Sequence, residues 1–382
     1  MAKAVQEVLV RYGEIFLKSP FVFRQFEKKL VENVARVFKR RGVKFKIRKE
    51  RGRIFVEAPV SEARELQNVF GVVSFSPVWR LGSVKLKDIK NFCKDKFKGF
   101  VKKGETFAVR AKRVGNHNFS SKDLEVEVGK VVRGKVDLSR PQKEIFVEVR
   151  ENEAYIFTEV FQGPGGLPVS SSGKVVSFIS GGIDSAVSSW LAMKRGCQVV
   201  FLHFHSFPLV SQKSIEKTKT IVEKLNDYQF NGKLILIPFQ KVQQLLKLGA
   251  PAKYLVVLYR RSMVRVGQNL AEEEKAKALF TGESLGQVSS QTLPNLAVID
   301  EAAKLPVFRP LIGMDKAEII DIARKIGTFE TSILPQEDCC QLFVPKHPAT
   351  QANVALIKDI EKKVGVQKLE REILKEKREI FV

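Results

Sequence analysis

The chain has 382 residues, 44% of them apolar, and at roughly 150 residues per domain this allows two or three packed domains, so general disorder is excluded. Lys and Arg number 66 against 42 Asp and Glu, a net charge of +24. No apolar run approaches the ~18 residues that span a bilayer, and Lys3, Glu7, Arg11 and Glu14 occupy the stretch where a secretory signal needs apolar residues, so the expectation is a soluble cytoplasmic protein without a membrane partner. Cys93, Cys197, Cys339 and Cys340 form neither a CxxC pair nor a disulfide framework, which argues against a structural zinc site and a secreted, stapled fold.

The charge is unevenly placed. Residues 1–170 hold 36 Lys and Arg against 20 Asp and Glu, a net +16, and the remaining residues hold +8. Basic clusters recur at Lys39-Arg40-Arg41, at Lys44 to Arg53, at Lys85 to Lys103, and at Arg110, Lys112 and Arg113. A solvated face balanced by acids does not fit an excess of this size. Nucleic acid does, because neutralising phosphates releases counterions.

In chain order, an alternating strand at Glu7–Tyr12 precedes a helix over Phe21–Arg41, in which Phe23, Phe26, Leu30, Val34 and Val37 recur at spacings of three and four. Strands at Val43–Ile47 and Arg53–Glu57 and a helix at Glu62–Asn68 complete a ferredoxin-like order over residues 1–77. Residues 78–165 read as a helix at Leu86–Phe100, a strand at Thr106–Ala111, a helix at Ser121–Arg133, and strands at Ile145–Arg150 and Glu153–Val160. Cys93 lies on the apolar face of the first of these helices and reads as a packed thiol. The Gly- and Pro-rich run FQGPGGLPVSSSGK marks a boundary, with a linker at 166–173.

Residues 174–382 alternate strands with helices. Strands at Val175–Ile179, Val199–Phe204, Lys233–Pro238 and Ala278–Thr281 are separated by helices reaching Lys194, over Ser214–Leu225 and over Ala252–Leu270, with a further strand and helix to Lys325 and a charged helical tail. Short apolar strands between helices predict a doubly wound parallel sheet whose ligands bind beyond the strands' carboxyl ends. The fold class is thus α/β and α+β, in several domains.

The first of these strands runs into SGGIDS, Ser180 to Ser185, and then into a helix. Strand, glycine turn and helix N-terminus present backbone N–H groups and a positive dipole end to an anion. Neither a Walker A nor a GxGxxG sequence is present. SGGxDS in this setting resembles the PP-loop of the ATP pyrophosphatase superfamily. The resemblance continues through His203-Phe204, YRRSM at 259–263, TGESLGQVSSQT at 281–292, RPLIGMDKAEIIDIARKIGT at 309–328 and EDCC at 337–340, while FAVRAKRVGNHNFSSKDLEVEVG resembles a THUMP RNA-binding domain. Together these segments are similar to the tRNA uridine 4-sulfurtransferase family (ThiI), in a form lacking the C-terminal rhodanese domain, with a ferredoxin-like, a THUMP and a PP-loop domain.

The resemblance implies ATP and magnesium as cofactors. It implies that Ser180, Gly181, Gly182, Asp184 and Ser185 cradle pyrophosphate, with Asp184 acting through magnesium, and that Phe178, Ile179, His203, Phe204, Arg260, Gly282 and Gln291 contact the nucleotide. It also implies tRNA as partner, gripped in part by Arg110, Lys112 and Arg113, together with a cysteine desulfurase or other sulfur donor, and a homodimer. His203 among apolar neighbours reads equally as a core residue.

Lys316 has a reading of its own. Asp315 and Glu318 form a D-x-x-E capping box, which places Lys316 in a first helical turn, where a cation opposes the dipole by ~0.3–1 kcal/mol. A phosphate partner explains that placement, and solvation is the alternative. The family pattern also has Lys there, stabilising charge on the α-phosphate.

Sulfur transfer needs a nucleophile. Cys197 precedes its strand by a length that puts it about 20 Å from the active end, so Cys339 and Cys340 remain, and by resemblance Cys339 takes the catalytic position. The iron–sulfur CxxC of some relatives has no counterpart near YRRSM, so no cluster is expected. The alternatives are another PP-loop RNA-modifying enzyme, or a tRNA-binding protein with a silent ATP site.

Overall fold

The computed structural model describes residues 5–50, 52–209, 211–335 and 347–381, arranged in two units, Met1–Gly166 and Leu167–Val382. In the first unit the strands are β1 (Val5–Tyr12), β2 (Lys46–Glu50), β3 (Arg53–Glu57), β4 (Val72–Leu81), β5 (Thr106–Arg113), β6 (Lys135–Val136), β7 (Lys143–Val149), β8 (Ala154–Phe157) and β9 (Phe161–Gln162). The helices are α1 (Pro20–Arg40), α2 (Leu86–Lys96) and α3 (Ser121–Val131). α1 starts with Pro at its first position and ends on Lys39 and Arg40, favourable at either end of the dipole. α3 opens on a Ser120–Asp123 capping box.

The ferredoxin-like and THUMP segments share one sheet, in the order β2-β3-β1-β4-β8-β7-β5-β6, with β9 on β4. The join is the antiparallel pairing of β4 with β8, Trp79 opposite Ile156 and Leu81 opposite Ala154. β4 therefore runs through residue 77, where a first domain was expected to end. One face of the sheet packs Phe107, Val109, Ile145, Val147 and Ile156 against Ile89, Cys93, Leu124 and Val128 of α2 and α3. The opposite face carries Leu9, Phe55, Val78, Tyr155 and Phe157 among ion pairs. Two expected elements differ. The helix expected to reach Phe100 stops at Lys96, ahead of Gly99 in the left-handed region (φ 78°), and the segment expected as a helix at 62–68 is a 3₁₀ run, Val60–Asn68.

The second unit contains β10 (Lys174–Phe178), β11 (Gln198–His205), β12 (Lys233–Pro238), β13 (Leu279–Phe280), β14 (Val307–Phe308) and β15 (Arg378–Phe381). Its helices are α4 (Ile183–Lys194), α5 (Lys213–Gln229), α6 (Gln240–Gly249), α7 (Leu255–Glu273), α8 (Leu293–Asp300), α9 (Lys316–Lys325), α10 (Phe329–Ser332), α11 (Val354–Val364) and α12 (Val366–Lys375). The sheet order is β14-β13-β10-β11-β12-β15. All neighbours are parallel except β15, which pairs antiparallel with β12 and corrects the expectation of a wholly helical tail. Its Glu379 lies 3.2 Å from Lys233, so the charges that suggested a solvated helix pair across the ladder instead. No described helix is long and apolar enough to cross a membrane.

α11 and α12 are held on α7 by charge. Arg261, 2% exposed, meets both Glu361 oxygens at 2.8 and 3.0 Å, and Arg265 reaches Glu361 at 2.8 Å and Glu370 at 2.6 Å. Removing one partner of such a network strands a buried cation. Glu361→Gln is expected to lower stability by about 3–5 kcal/mol. Urea denaturation measures the loss, and hydrogen exchange should place the first opening in α11 and α12.

Candidate active site

The strand β10 ends at Phe178, and the chain turns through Ser180, Gly181 and Gly182 before α4 begins. The turn is closed by its own serines. Ser185 Oγ accepts from Ser180 N–H at 3.0 Å and lies 3.1 Å from Ser180 Oγ, which accepts from Gly182 N–H at 3.2 Å. The loop is thus held in one shape at a helix N-terminus, the arrangement that binds anions without reorganising. Gly282 fixes its other wall. A Cβ at 282 would come within 2.8 Å of the Asp184 carbonyl carbon and the Ser185 nitrogen, so only glycine lets the chain after β13 pass there.

A cavity of about 550 Å3 opens between these elements. Eleven of the twelve residues expected at the ATP site line it: Phe178, Ile179, Ser180, Gly182, Asp184, Ser185, His203, Phe204, Arg260, Gly282 and Gln291. Gly181 sits in the loop without lining the cavity. Residues to which the sequence reading gave no role also line it, among them Val256, Met263 and Gln287. Gln287 belongs to TGESLGQVSSQT, so its position was in view without a reason to single it out.

Asp184 and Lys316, 132 residues apart, meet with Oδ1 and Nζ at 2.6 Å, and Gln287 Nε2 donates to Oδ2 at 3.1 Å. The capping box at Asp315 and Glu318 forms as the sequence indicates, and Lys316 is the first residue of α9. Its partner in this structure is Asp184 rather than solvent.

His203 is 4% exposed, with Nδ1 2.9 Å from the Ile179 carbonyl and Nε2 3.3 Å from Ser214 Oγ. Both nitrogens face groups that orient the ring, so it shapes the cavity wall. Behind Arg260 lies Glu283, 2% exposed, accepting from Arg260 at 3.2 Å, Arg309 at 2.5 Å and Thr281 Oγ1 at 2.9 Å. Arg309 continues to Asp300 at 2.6 Å. Burial pushes the Glu283 carboxyl up, but Arg260, Arg309 and the Thr281 hydroxyl outweigh it and hold it below the usual carboxylate range.

Cys339, Cys340 and the rest of EDCC lie outside the described residues. The stem leading to them is anchored, since Lys217 Nζ donates to the Ser332 and Leu334 carbonyls at 2.8 and 2.7 Å, and Lys224 to the Gly327 carbonyl at 2.7 Å. Cys93 is buried, its thiol pushed up to about 12, and Cys197 is buried with its thiol pushed up in the same way. Neither is a nucleophile in that state.

In the first unit, Arg110 and Lys112 share one face of β5 and line a recess of about 290 Å3 with Arg11 and Arg53. Arg110 is tied to Glu144 at 2.9 Å and to the Leu138 carbonyl. Arg113 points to the other face, toward the Gly115 and His117 carbonyls, and is not part of that recess.

Three family models match: the ThiI ferredoxin-like domain over residues 7–76, the THUMP domain over 84–159, and Thiamine biosynthesis protein (ThiI) over 170–366. The chain belongs to the ThiI family. Similar ThiI-type proteins include a probable tRNA sulfurtransferase of Moorella thermoacetica, 43% identical over 380 residues that make up 96% of this chain and 95% of that one. Another is a probable tRNA sulfurtransferase of Methanothermobacter thermautotrophicus, 38% identical over 96% of both chains. Among solved structures, a 4-thiouridine synthetase in complex with RNA and with ATP bound is 34% identical, covers 99% of this chain and 100% of that one, and superposes with a TM-score of 0.88. In ThiI terms, the matched ferredoxin-like and THUMP segments are the two parts of the shared sheet, and the cavity lies in the third.

The Glu283 cluster sets a pH dependence. A carboxyl held below its unfolded value contributes stability that is present above the unfolded pKa of ~4.3 and is lost as pH falls through the folded value. Glu283→Gln is expected to lower stability at pH 7 by about 3–5 kcal/mol. In urea titrations across pH, the gap between variant and wild type should close below pH ~4.

Proposed function

We propose that this chain carries out ATP-dependent tRNA thiolation, converting uridine 8 to 4-thiouridine. The observation that carries the reading is the meeting of Lys316 with Asp184 at the mouth of the preshaped Ser180–Ser185 loop. Whole-length similarity to tRNA sulfurtransferases supports it. ATP enters the cavity with its base toward Phe178, Phe204 and Arg260 and its phosphates at the loop, where backbone N–H groups and the α4 dipole receive them. Lys316 leaves Asp184 for the α-phosphate. There the cation stabilises charge that develops as uridine O4 forms its bond to phosphorus and the bond to pyrophosphate breaks. One carboxylate, Asp184, lines the cavity among the described residues, which suits a magnesium ion that takes its remaining oxygens from phosphates and water. Such an ion would supply charge neutralisation.

In the second half reaction the terminal sulfur of a persulfide on Cys339 attacks C4, AMP leaves with the former O4, and a thiol takes the inner sulfur into a disulfide to release 4-thiouridine. A cysteine desulfurase or another donor charges Cys339. The target base must leave its stack, at a cost of a few kcal/mol offset by backbone contacts from the basic first unit, Arg110 and Lys112 among them. The protein works in the cytoplasm as a homodimer, one subunit's THUMP domain holding the acceptor end while the other subunit acts.

Incubation with tRNA, ATP, magnesium and a sulfur donor should yield 4-thiouridine, measured by mass spectrometry of the digested nucleosides; its absence would sink the reading. Cys339→Ser is expected to keep tRNA-dependent pyrophosphate release and lose thiolation, whereas Asp184→Asn should lose both. Thiolation by Cys339→Ser at the wild-type rate removes the persulfide assignment.

A further inference from the structure

Asp184 is held by two donors that reach it from one scaffold. Gln287 stands on the turn after Gly286, which is braced by bonds from Gly286 N–H to the Gln291 carbonyl at 2.8 Å and from Gln291 N–H to the Val288 carbonyl at 2.9 Å. This turn is fastened to the segment just ahead of α9. Leu285 N–H donates to the Ile312 carbonyl at 3.2 Å, and Ser284 Oγ to the Met314 carbonyl at 2.9 Å. Gln287 and Lys316 are thus mounted on one block, facing the first turn of α4 from the same side, one on each carboxylate oxygen.

The two donors differ in what an incoming polyphosphate does to them. Lys316 is a cation on a flexible stem, its side chain 46% exposed, and several phosphate charges attract it more strongly than one carboxylate. Gln287 is neutral, so the phosphates do not compete for it in that way. We propose that Gln287 is a positioning residue that keeps the Asp184 carboxylate in place at the loop while Lys316 is drawn off it onto phosphate. Without it, the departure of Lys316 would leave the Asp184 carboxylate with neither side-chain donor and free to rotate at the loop. A neutral amide suits this post. A second lysine would also be drawn to the phosphates, and a carboxylate would repel Asp184.

The inference rests on the functional reading above, and the test separates the two. Full-length wild type, Gln287→Ala and Gln287→Glu are compared for binding of labelled ATP by equilibrium dialysis, for tRNA-dependent pyrophosphate release across pH 5–8, and for thermal midpoint. Gln287→Ala should bind ATP within about threefold of wild type, melt at the same temperature and release pyrophosphate roughly tenfold or more slowly, the scale of one lost hydrogen bond to a charged group. Gln287→Glu should be slow at neutral pH and gain rate relative to wild type toward pH 5, as its introduced carboxyl takes a proton and can donate again. Wild-type pyrophosphate release by Gln287→Ala overturns the inference, as does a loss that tracks a lowered thermal midpoint, or a Gln287→Glu profile parallel to wild type. Wild-type protein that neither binds ATP nor releases pyrophosphate overturns the functional reading and the inference with it.

Discussion

The active cavity depends on how closely the backbone at Gly282 passes the first turn of α4. A methyl group there would lie 2.8 Å from backbone atoms of Asp184 and Ser185, well inside van der Waals contact, so the approach is possible only for glycine. That approach brings the chain leaving β13 over the loop leaving β10, its neighbour in the sheet. It sets Thr281 in the cavity wall and Glu283 behind it, where Glu283 holds Arg260 on one side and Arg309 on the other. It also starts the turn that carries Gln287 and, through its bonds to 312 and 314, fixes where α9 begins. The ligand crevice beyond the carboxyl ends of a parallel sheet is general. What is particular here is that a close backbone approach sets its two walls, while short serine side chains close the loop and join it to the wall.

The two units handle charge differently. The first holds most of the excess cations, yet its sheet interior is a network of mutual neutralisation: Arg53 and Arg150 on Glu148, Arg48 on Glu7, Arg80 on Glu153. Those arginines serve the fold. Burial of the Arg11 guanidinium, set over the Phe157 ring at 4.6 Å, holds it down at about 10, the mark of a cation placed where water is scarce. The cations left for a polyanion are the exposed ones along the helices and β5, and long-range attraction, which needs no fixed geometry, suits them. At the loop of the second unit, positive charge acts at short range, one lysine on one carboxylate.

The sequence carried the order of elements and the parallel sheet, because strand, glycine turn and helix start are local patterns, while eleven of the nineteen residues lining the cavity were expected through the family resemblance. What escaped it is what depends on distant partners. The single sheet joining the ferredoxin-like and THUMP segments arises from β4 pairing with β8, about seventy residues on, and nothing local announces that pairing. β15 was hidden by its charges, which read as a helical tail, whereas Glu379 reaches Lys233 diagonally across the ladder. Gln287 and Glu283 have no signature as lone residues. Their roles come from Asp184, Arg260 and Arg309, which the fold brings to them. Arg110, Lys112 and Arg113 form one cluster in the sequence, but strand periodicity places Arg113 on the opposite face of β5 from the other two.

The cysteines narrow by the same physics. A thiol acts as a nucleophile only as thiolate, and burial without a cationic partner suppresses that form. Cys93 meets that condition inside the core formed by α2, α3 and the sheet. Cys197 meets it at the start of β11, the end of the strand away from the cavity, and the nearby Arg195 only partly offsets its burial. Neither of these two thiols therefore offers an accessible sulfur. At α10, Lys217 of α5 caps the carbonyls at 332 and 334, where the end of a short helix would otherwise lack donors, and Lys224 caps the carbonyl at 327 ahead of that helix. A buried lysine such as Lys217 is a costly way to end a one-turn helix unless the path of the chain beyond it matters.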